Sequence, residues 1–258
     1  MNPLSLDSRI ALVTGAAGGI GAAIARRLAG QGADLVVTDR AECRIALERL
    51  EAEIVGTGRR VFGRTADVSC KAEVVALVEE ARVALGPIDT LVNVAGIHAF
   101  PTPLLRIDEE LWNRLLSVNL TGPLFLSQAV IPDMVERGRG CVVNIASDSA
   151  FDVIAGEGPY GISKIGLVRL SAYLAREVAG SGVRVNSLAP GWVKTAMSKP
   201  FWDDPAVAQA AIEGIPVRRF ADPADIADVV LFLVSDLAGY VNGHCLVADG
   251  GRIAGVPA

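Results

Sequence analysis

The stretch "IALVTGAAGGIGAAIARRL", residues 10–28, decides the fold. An apolar run, Ile10–Thr14, halts at Gly15. Gly19 and Gly21 complete a G-x-x-x-G-x-G spacing, and a helical pattern opens on the last of them. Glycine lets the backbone turn tightly and brings its N–H groups close to an anion. The helix behind directs the positive end of its dipole at the same point. Glycine-rich turns are common, so the trio alone says little. Placed after a strand, at a helix start and in the first βα turn, it points to a site for the pyrophosphate of a dinucleotide, contacted by Gly15, Gly19, Ile20 and Gly21.

Outward from this turn, short β-type runs alternate with longer helical patterns. Strands are expected at Ile10–Thr14, Asp34–Thr38, Val61–Thr65, Thr90–Val94, Cys141–Ala146, Val183–Leu188 and Cys245–Ala248. Helices are expected at Gly21–Gln31, Ile45–Ile54, Lys71–Leu85, Glu109–Glu136, Ser163–Ala179 and Pro223–Ser235. Several strands are apolar throughout, as strands covered on both faces are. The alternation predicts an α/β protein: a doubly wound Rossmann fold with a seven-stranded, mostly parallel sheet and helices on both faces. No repeat or low-complexity linker divides the chain, so residues 1–258 are expected to form a single dinucleotide-binding and catalytic domain. One segment breaks the alternation: after "LAPGWVKT" (188–195) an insertion runs to about residue 216. Such insertions are often functional, and a substrate lid at about 195–216 is expected; a packed surface hairpin of helices is the alternative.

Composition narrows the function. With 51% apolar and 21% charged residues, the chain can build a large core and is not disordered. Its net charge of −5, without any block of lysines or arginines, argues against nucleic acid as a partner. Cys43, Cys70, Cys141 and Cys245 are scattered, and His98 and His244 add no ligand spacing, so no metal site is expected. "VVLFLV" (229–234) is far too short to span a membrane, and Asp7 and Arg9 make the N-terminus unlike a secretory signal; a cytoplasmic protein is expected.

Asp39 ends the second strand, 18 residues after Gly21. A carboxylate there accepts hydrogen bonds from the adenosine ribose hydroxyls and repels a 2′-phosphate, which favours NAD as cofactor over NADP. The adjacent Arg40 keeps NADP open, because a guanidinium can receive that phosphate; stacking on adenine or facing water are its other options.

The stretch "SDSAFDVIAGEGPYGISK" (147–164) holds the chemistry. Ser147 arrives at the carboxyl end of the fifth strand, the edge where doubly wound sheets bind ligands. Tyr160 and Lys164 are four residues apart and share one helix face. An ammonium and a positive nicotinamide ring are expected to lower the phenol's pKa. Tyr160 then takes an alcohol's proton as hydride leaves the carbon, and Ser147 holds the same oxygen. Taken alone, a Tyr–Lys pair at this spacing is usually inert.

These residues place the chain among known relatives. "TGAAGGIG" (14–21), "DV" (67–68), "NVAG" (93–96), "SVN" (117–119), "IAS" (145–147), "YGISK" (160–164), "PGWVKT" (190–195) and "DGG" (249–251) stand in register. Over residues 8 to 251 the chain resembles the short-chain dehydrogenase/reductase family. The resemblance implies a catalytic tetrad of Asn119, Ser147, Tyr160 and Lys164, with Asn119 holding a water that links Lys164 to solvent. It also implies that Lys164 bonds the nicotinamide ribose and that Asp67 and Val68 meet the adenine. Asn93, Ala95 and Gly96 would line the cofactor floor, and Pro190, Gly191, Val193 and Thr195 would hold the carboxamide. The family's usual second Asn in "NNAG" is Val94 here, with little effect expected.

For the substrate, chain position nominates His98, Ser149, Phe151, Glu157, Trp192, Phe201 and Trp202, with Asp148, Val153 and Met197 nearby. The aromatic and aliphatic members predict a partly apolar pocket suited to a cyclic or medium-sized secondary alcohol or ketone. His98, Asp148 and Glu157 would add polar contacts for a polyol or sugar acid, or else cap backbone or face solvent. Lys199, Arg218 and Arg219 are thin support for a carboxylated substrate. The leading expectation is an NAD-dependent dehydrogenase of a small secondary alcohol; the alternative is an NADPH-preferring carbonyl or 3-oxoacyl-type ketone reductase. Enoyl reduction is disfavoured because that branch spaces its Tyr and Lys more widely. A dinucleotide-binding sensor has no use for the hydroxyl, phenol and ammonium together. By resemblance a homotetramer is expected, and the C-terminal "GGRIAGVPA" is apolar enough to pack on a neighbouring subunit.

Overall fold

Apolar strands dictate the layering. In β1 (Ile10–Thr14) and β4 (Thr90–Asn93) every residue is buried, which requires cover on both faces of the sheet. The computed structural model describes residues 2–254. Its other strands are β2 (Asp34–Asp39), β3 (Val61–Thr65), β5 (Gly140–Ile145), β6 (Val183–Pro190) and β7 (Cys245–Ala248). They lie in the order β3-β2-β1-β4-β5-β6-β7, and all six pairings are parallel, where a mostly parallel sheet was expected.

Side chains along β1 alternate between two cores. Ala11 and Val13 join Ile24 and Leu28 of α1 (Gly19–Ala29), Leu47 of α2 (Arg44–Gly56) and Val230 of α8 (Pro223–Val234). Ile10 and Leu12 join Leu77 of α3 (Lys71–Leu85) and Val130 and Met134 of α5 (Gly122–Glu136) on the other face. The remaining helices are α4 (Glu109–Leu116), α6 (Gly158–Glu177) and α7 (Pro205–Glu213). Because β1 pairs with both β2 and β4, strand order reverses at its carboxyl end, and the crevice that opens there is where such sheets bind ligands.

Two boundaries differ from expectation in ways that matter to the site. The single helix expected over Glu109–Glu136 is interrupted by a π-type turn at Ser117–Thr121, which carries Asn119 inward. By composition the whole stretch is long and apolar enough to cross a membrane, but half of that window is buried in this fold, as in a core helix. Helix α6 starts at Gly158, five residues before the expected Ser163, because Pro159 sits in its first turn with its backbone angle already helical. Tyr160 is therefore on the helix. Residues 195–216 hold a short 3₁₀ turn (Lys199–Phe201) and α7, whose first turn is capped by Asp204 accepting from Ala206 N at 2.8 Å. Of the C-terminal apolar segment, residues 255–258 lie outside the described residues.

Candidate active site

The glycine turn is shaped by close approach. Gly15 and Gly19 have φ of 62° and 52°, the left-handed region that favours glycine. A side-chain carbon on Gly21 would lie 2.0 Å from Gly15 O, so only glycine lets α1 start this close to the turn. No side chain caps the first N–H groups of α1, which leaves them for an anion. Asp39 braces the turn from β2: Oδ2 accepts from Ala17 N at 2.9 Å and Oδ1 from Arg40 N at 2.8 Å. Thr14, which sequence inspection passed over, ties the two half-sheets together. Its Oγ1 accepts from both Val94 N and Ala95 N at 3.0 Å.

A cavity of about 510 Å³ runs from this turn along the strand ends. Of the predicted cofactor residues, Gly15, Gly19, Ile20, Gly21, Asp39, Arg40, Asp67, Val68, Ala95, Gly96, Tyr160, Lys164, Pro190, Gly191, Val193 and Thr195 line it. Burial works against ionisation of Asp67, but Ser69 and the Arg114 guanidinium outweigh it and hold the carboxyl below its usual range. Asn93 does not line the cavity. It sits inside the sheet, where its Nδ2 donates to Asn144 Oδ1 at 2.7 Å, and Asn144 Nδ2 donates to Ser171 Oγ of α6 at 2.9 Å. Asn93 is thus a link between β4, β5 and α6 beneath the floor. Bare helical N–H groups, glycines that side chains would displace and a carboxylate at the second strand's end together fit an elongated dinucleotide.

Ser147, Tyr160 and Lys164 meet on one wall of the same cavity. Lys164 is buried, its Nζ donates to Ile145 O at 2.9 Å, and it lies 5.5 Å from the centre of the Tyr160 ring. Burial pulls the ammonium down to about 8. The phenol departs from expectation. Burial pushes it well above its ordinary value; the nearby Ser147 hydroxyl offsets part, and the Glu157 and Asp148 carboxylates add to the rise. Lys164, whose Nζ donates to Ile145 O, is not among the groups that lower it.

Asn119 stands behind this wall and does not line the cavity. Its Oδ1 accepts from Ile97 N at 2.8 Å, while Nδ2 donates to Ile97 O at 2.9 Å and to Ser163 Oγ at 3.0 Å. Ser163 Oγ in turn donates to Tyr160 O at 2.7 Å, so the buried amide fixes both the loop after β4 and the first turn of α6. A carbon on Gly96 would lie 3.3 Å from Asn119 Oδ1 and 3.4 Å from Lys164 Nζ; the glycine keeps the space between them open.

On the substrate side, polar groups form a line. Ser147 Oγ is 3.3 Å from Ser149 Oγ, Ser149 Oγ donates to Glu157 Oε2 at 2.6 Å, and Glu157 Oε1 is 3.7 Å from His98 Nε2. The His98 ring meets Tyr160 edge to face at 4.6 Å. In the same lining Trp192 and Phe201 pack at 4.7 Å, with Phe100 between Phe201 and His98. Two nominated residues are not in the lining. Phe151 closes the short turn after Ser147, its N–H bonded to Asp148 O, and Trp202 pins the preceding loop after β6, donating from Nε1 to Thr195 O at 3.2 Å. Val153 is fully in solvent. Asp148 is buried and paired with Arg252, a residue nothing local in the sequence connects to the site. Lys199, Arg218 and Arg219 all turn elsewhere, to Asp203, Glu213 O and Asp225.

Residues 15–252 match the family model described as Enoyl-(Acyl carrier protein) reductase. The chain is 39% identical to Dehydrogenase/reductase SDR family member 4 of Oryctolagus cuniculus over 95% of its length and 94% of the relative's. The chain belongs to the short-chain dehydrogenase/reductase family. Within the family it is also 41% identical to D-threitol dehydrogenase of Mycolicibacterium smegmatis, covering 95% of this chain and 93% of that one. A gluconate 5-dehydrogenase from Burkholderia cenocepacia J2315, crystallised with NADP and tartrate, superimposes with a TM-score of 0.93 at 33% identity over 99% of both chains. As a short-chain dehydrogenase/reductase, the protein is an oxidoreductase acting on alcohol or carbonyl groups with a nicotinamide cofactor.

Proposed function

We propose that this chain is an NAD-dependent enzyme that interconverts a small secondary alcohol and its ketone. The observation that carries the proposal is the convergence of Ser147, Tyr160 and Lys164 on one cavity wall, continuous with the glycine turn. The α1 N–H groups would hold the pyrophosphate, Asp39 the adenosine ribose, Asp67 and Val68 the adenine, and the Pro190–Thr195 loop the carboxamide. A bound nicotinamide supplies the acceptor for hydride and, oxidised, a positive charge that favours phenolate. The Ser147 hydroxyl orients the alcohol oxygen. Tyr160 takes its O–H proton, and the C–H bond breaks with its electron pair leaving as hydride. Lys164, turning from Ile145 O, stabilises the phenolate. Asn119 positions α6 through Ser163.

Asp39 supports NAD, since it lines the cavity and a carboxylate there opposes a 2′-phosphate. Arg40, also in the lining, supports the alternative of an NADPH-preferring carbonyl or 3-oxoacyl-type reductase. Met197 and Phe201 reach the cavity from residues 195–216, which supports the lid. A homotetramer is part of the proposal, supported by Ile162 and Tyr173, which leave apolar surface exposed on α6; a monomeric mass in light scattering would contradict it.

The test follows absorbance at the reduced-nicotinamide band with NAD and NADP against secondary alcohols. Reduction of NAD is expected, falling about 10²–10⁴-fold in Tyr160→Phe while dinucleotide binding survives. Activity unchanged in that variant would overturn the mechanism.

A further inference from the structure

Glu157 is a carboxylate that faces the cavity with acceptor capacity unused. Its side chain is 12% exposed, and among the described residues no arginine or lysine pairs with it. Oε2 accepts one hydrogen bond, from Ser149 Oγ at 2.6 Å; Oε1 has only His98 Nε2, at 3.7 Å. A carboxylate offers about four acceptor positions. Burial works against ionisation of Glu157, but His98 and Ser149 outweigh it and hold the carboxyl below its usual range, so it faces the cavity charged with positions to spare. Something entering the cavity with O–H groups would complete it.

The position of this capacity is informative. Ser147, the group placed to orient the reacting oxygen, is followed by Ser149 and then Glu157, each one hydrogen-bond length or so from the last. Hydroxyls on neighbouring carbons of a diol are separated by about one hydrogen-bond length too. A substrate oxygen at Ser147 and Tyr160 therefore puts the oxygen on the next carbon beside Ser149 and Glu157. Trp192 and Phe201, in the same lining, suit the C–H faces of such a molecule.

Charge argues against the obvious competitor, an acid. On this side the cavity carries Glu157 and Asp148; among the described residues the neighbouring lysine and arginine are engaged elsewhere, and His98 is held beside Glu157. Lys164 donates to Ile145 O. Arg252 gives Nε to Asp148 and Nη1 to Asp152 and does not line the cavity. A carboxylate here would meet like charge.

Resting on the alcohol dehydrogenase proposal, we propose that Glu157, oriented by Ser149 and flanked by His98, accepts a hydrogen bond from a second hydroxyl beside the reacting carbon, making the substrate an uncharged vicinal diol or polyol. The competing role for Glu157 is a brace that only holds its loop to Ser149.

The experiment measures kcat/KM with saturating dinucleotide for sec-butanol, each stereoisomer of the vicinal butanediol, the tetritols and a four-carbon aldonate. The diol-to-monoalcohol ratio should exceed about tenfold in the wild type, the worth of one hydrogen bond to a charged group. It should fall toward one in Glu157→Ala and take an intermediate value in Glu157→Gln, which keeps an acceptor oxygen without the charge. The ratio cancels general damage to the fold. A wild-type ratio near one, a ratio unchanged in Glu157→Ala, or an aldonate used better than the tetritols would overturn the assignment. Turnover without diol preference overturns this assignment alone. Silence with every alcohol and either dinucleotide overturns the dehydrogenase proposal as well.

Discussion

Arg252 Nε lies 2.6 Å from Asp148 Oδ2, joining the end of the chain to the residue after Ser147 across 104 positions. Asp148 Oδ1 accepts from the Ser147 hydroxyl at 3.1 Å, and Arg252 Nη1 reaches Asp152 at 2.9 Å, so one guanidinium staples the loop that follows β5. Burial pushes the Asp148 carboxyl up, and the Arg252 pair offsets only part of that. Removing the guanidinium leaves Asp148 buried without a counterion. Arg252→Met is expected to lower unfolding stability by about 3–5 kcal/mol, read from urea denaturation. Asp148→Asn in the same background should recover part of that loss. A variant as stable as the wild type would show that the pair contributes nothing.

Lys164 makes a pH signature. Unfolded, it holds its proton up to 10.5; folded, burial releases the proton at about 8. Between those values the unfolded state binds more protons, so stability rises with pH. Tyr160 acts the other way: its folded phenol keeps a proton that the unfolded phenol loses from pH 10.0 upward, so the two separate below that point. Without dinucleotide, the stability of wild type relative to Lys164→Met should climb by about 2–3 kcal/mol from pH 8 to 10. A flat difference would show that the folded lysine is not depressed.

The two neighbouring kinds of glycine in the turn should separate on stability alone. A carbon added at Gly21 meets Gly15 O at 2.0 Å, whereas one at Gly18 meets nothing within 4 Å. Gly21→Ala should cost about 1–3 kcal/mol of overpacking in the protein without dinucleotide, and Gly18→Ala less than about 0.5 kcal/mol. Thermal denaturation of the pair of variants decides it; equal losses would mean that α1 can shift away from the turn.

Asp39→Ala should move cofactor choice. Losing the carboxylate removes the charge that opposes a 2′-phosphate and leaves Arg40 in the lining to receive it. The NAD-to-NADP ratio of kcat/KM is expected to fall at least tenfold, measured with one alcohol. The variant also loses the braces to Ala17 N and Arg40 N, so Asp39→Asn, which keeps acceptor capacity, is the partner measurement. No change in the ratio in either would remove Asp39 from cofactor choice.

What the amino-acid order alone determined here is local. The run Ile10–Leu28 sets strand, turn and helix because apolar periodicity and glycine spacing act over a few residues. The Tyr160–Lys164 interval is one helical turn, so their shared face was legible for the same reason. Even the pocket's aromatic wall could be nominated by position along the chain, with Trp192 and Phe201 in place and Phe151 and Trp202 turned to other partners. Residues whose partners are far away were not legible. Thr14 meets Val94 and Ala95, Asn93 meets Asn144, Asn119 meets Ile97 and Ser163, and Arg252 meets Asp148. Each pairing exists only once the parallel strands have aligned their carboxyl ends. The electrostatics follow the same division. The ammonium near a phenol could be read from spacing, but the direction of each pKa depended first on burial, which only packing decides.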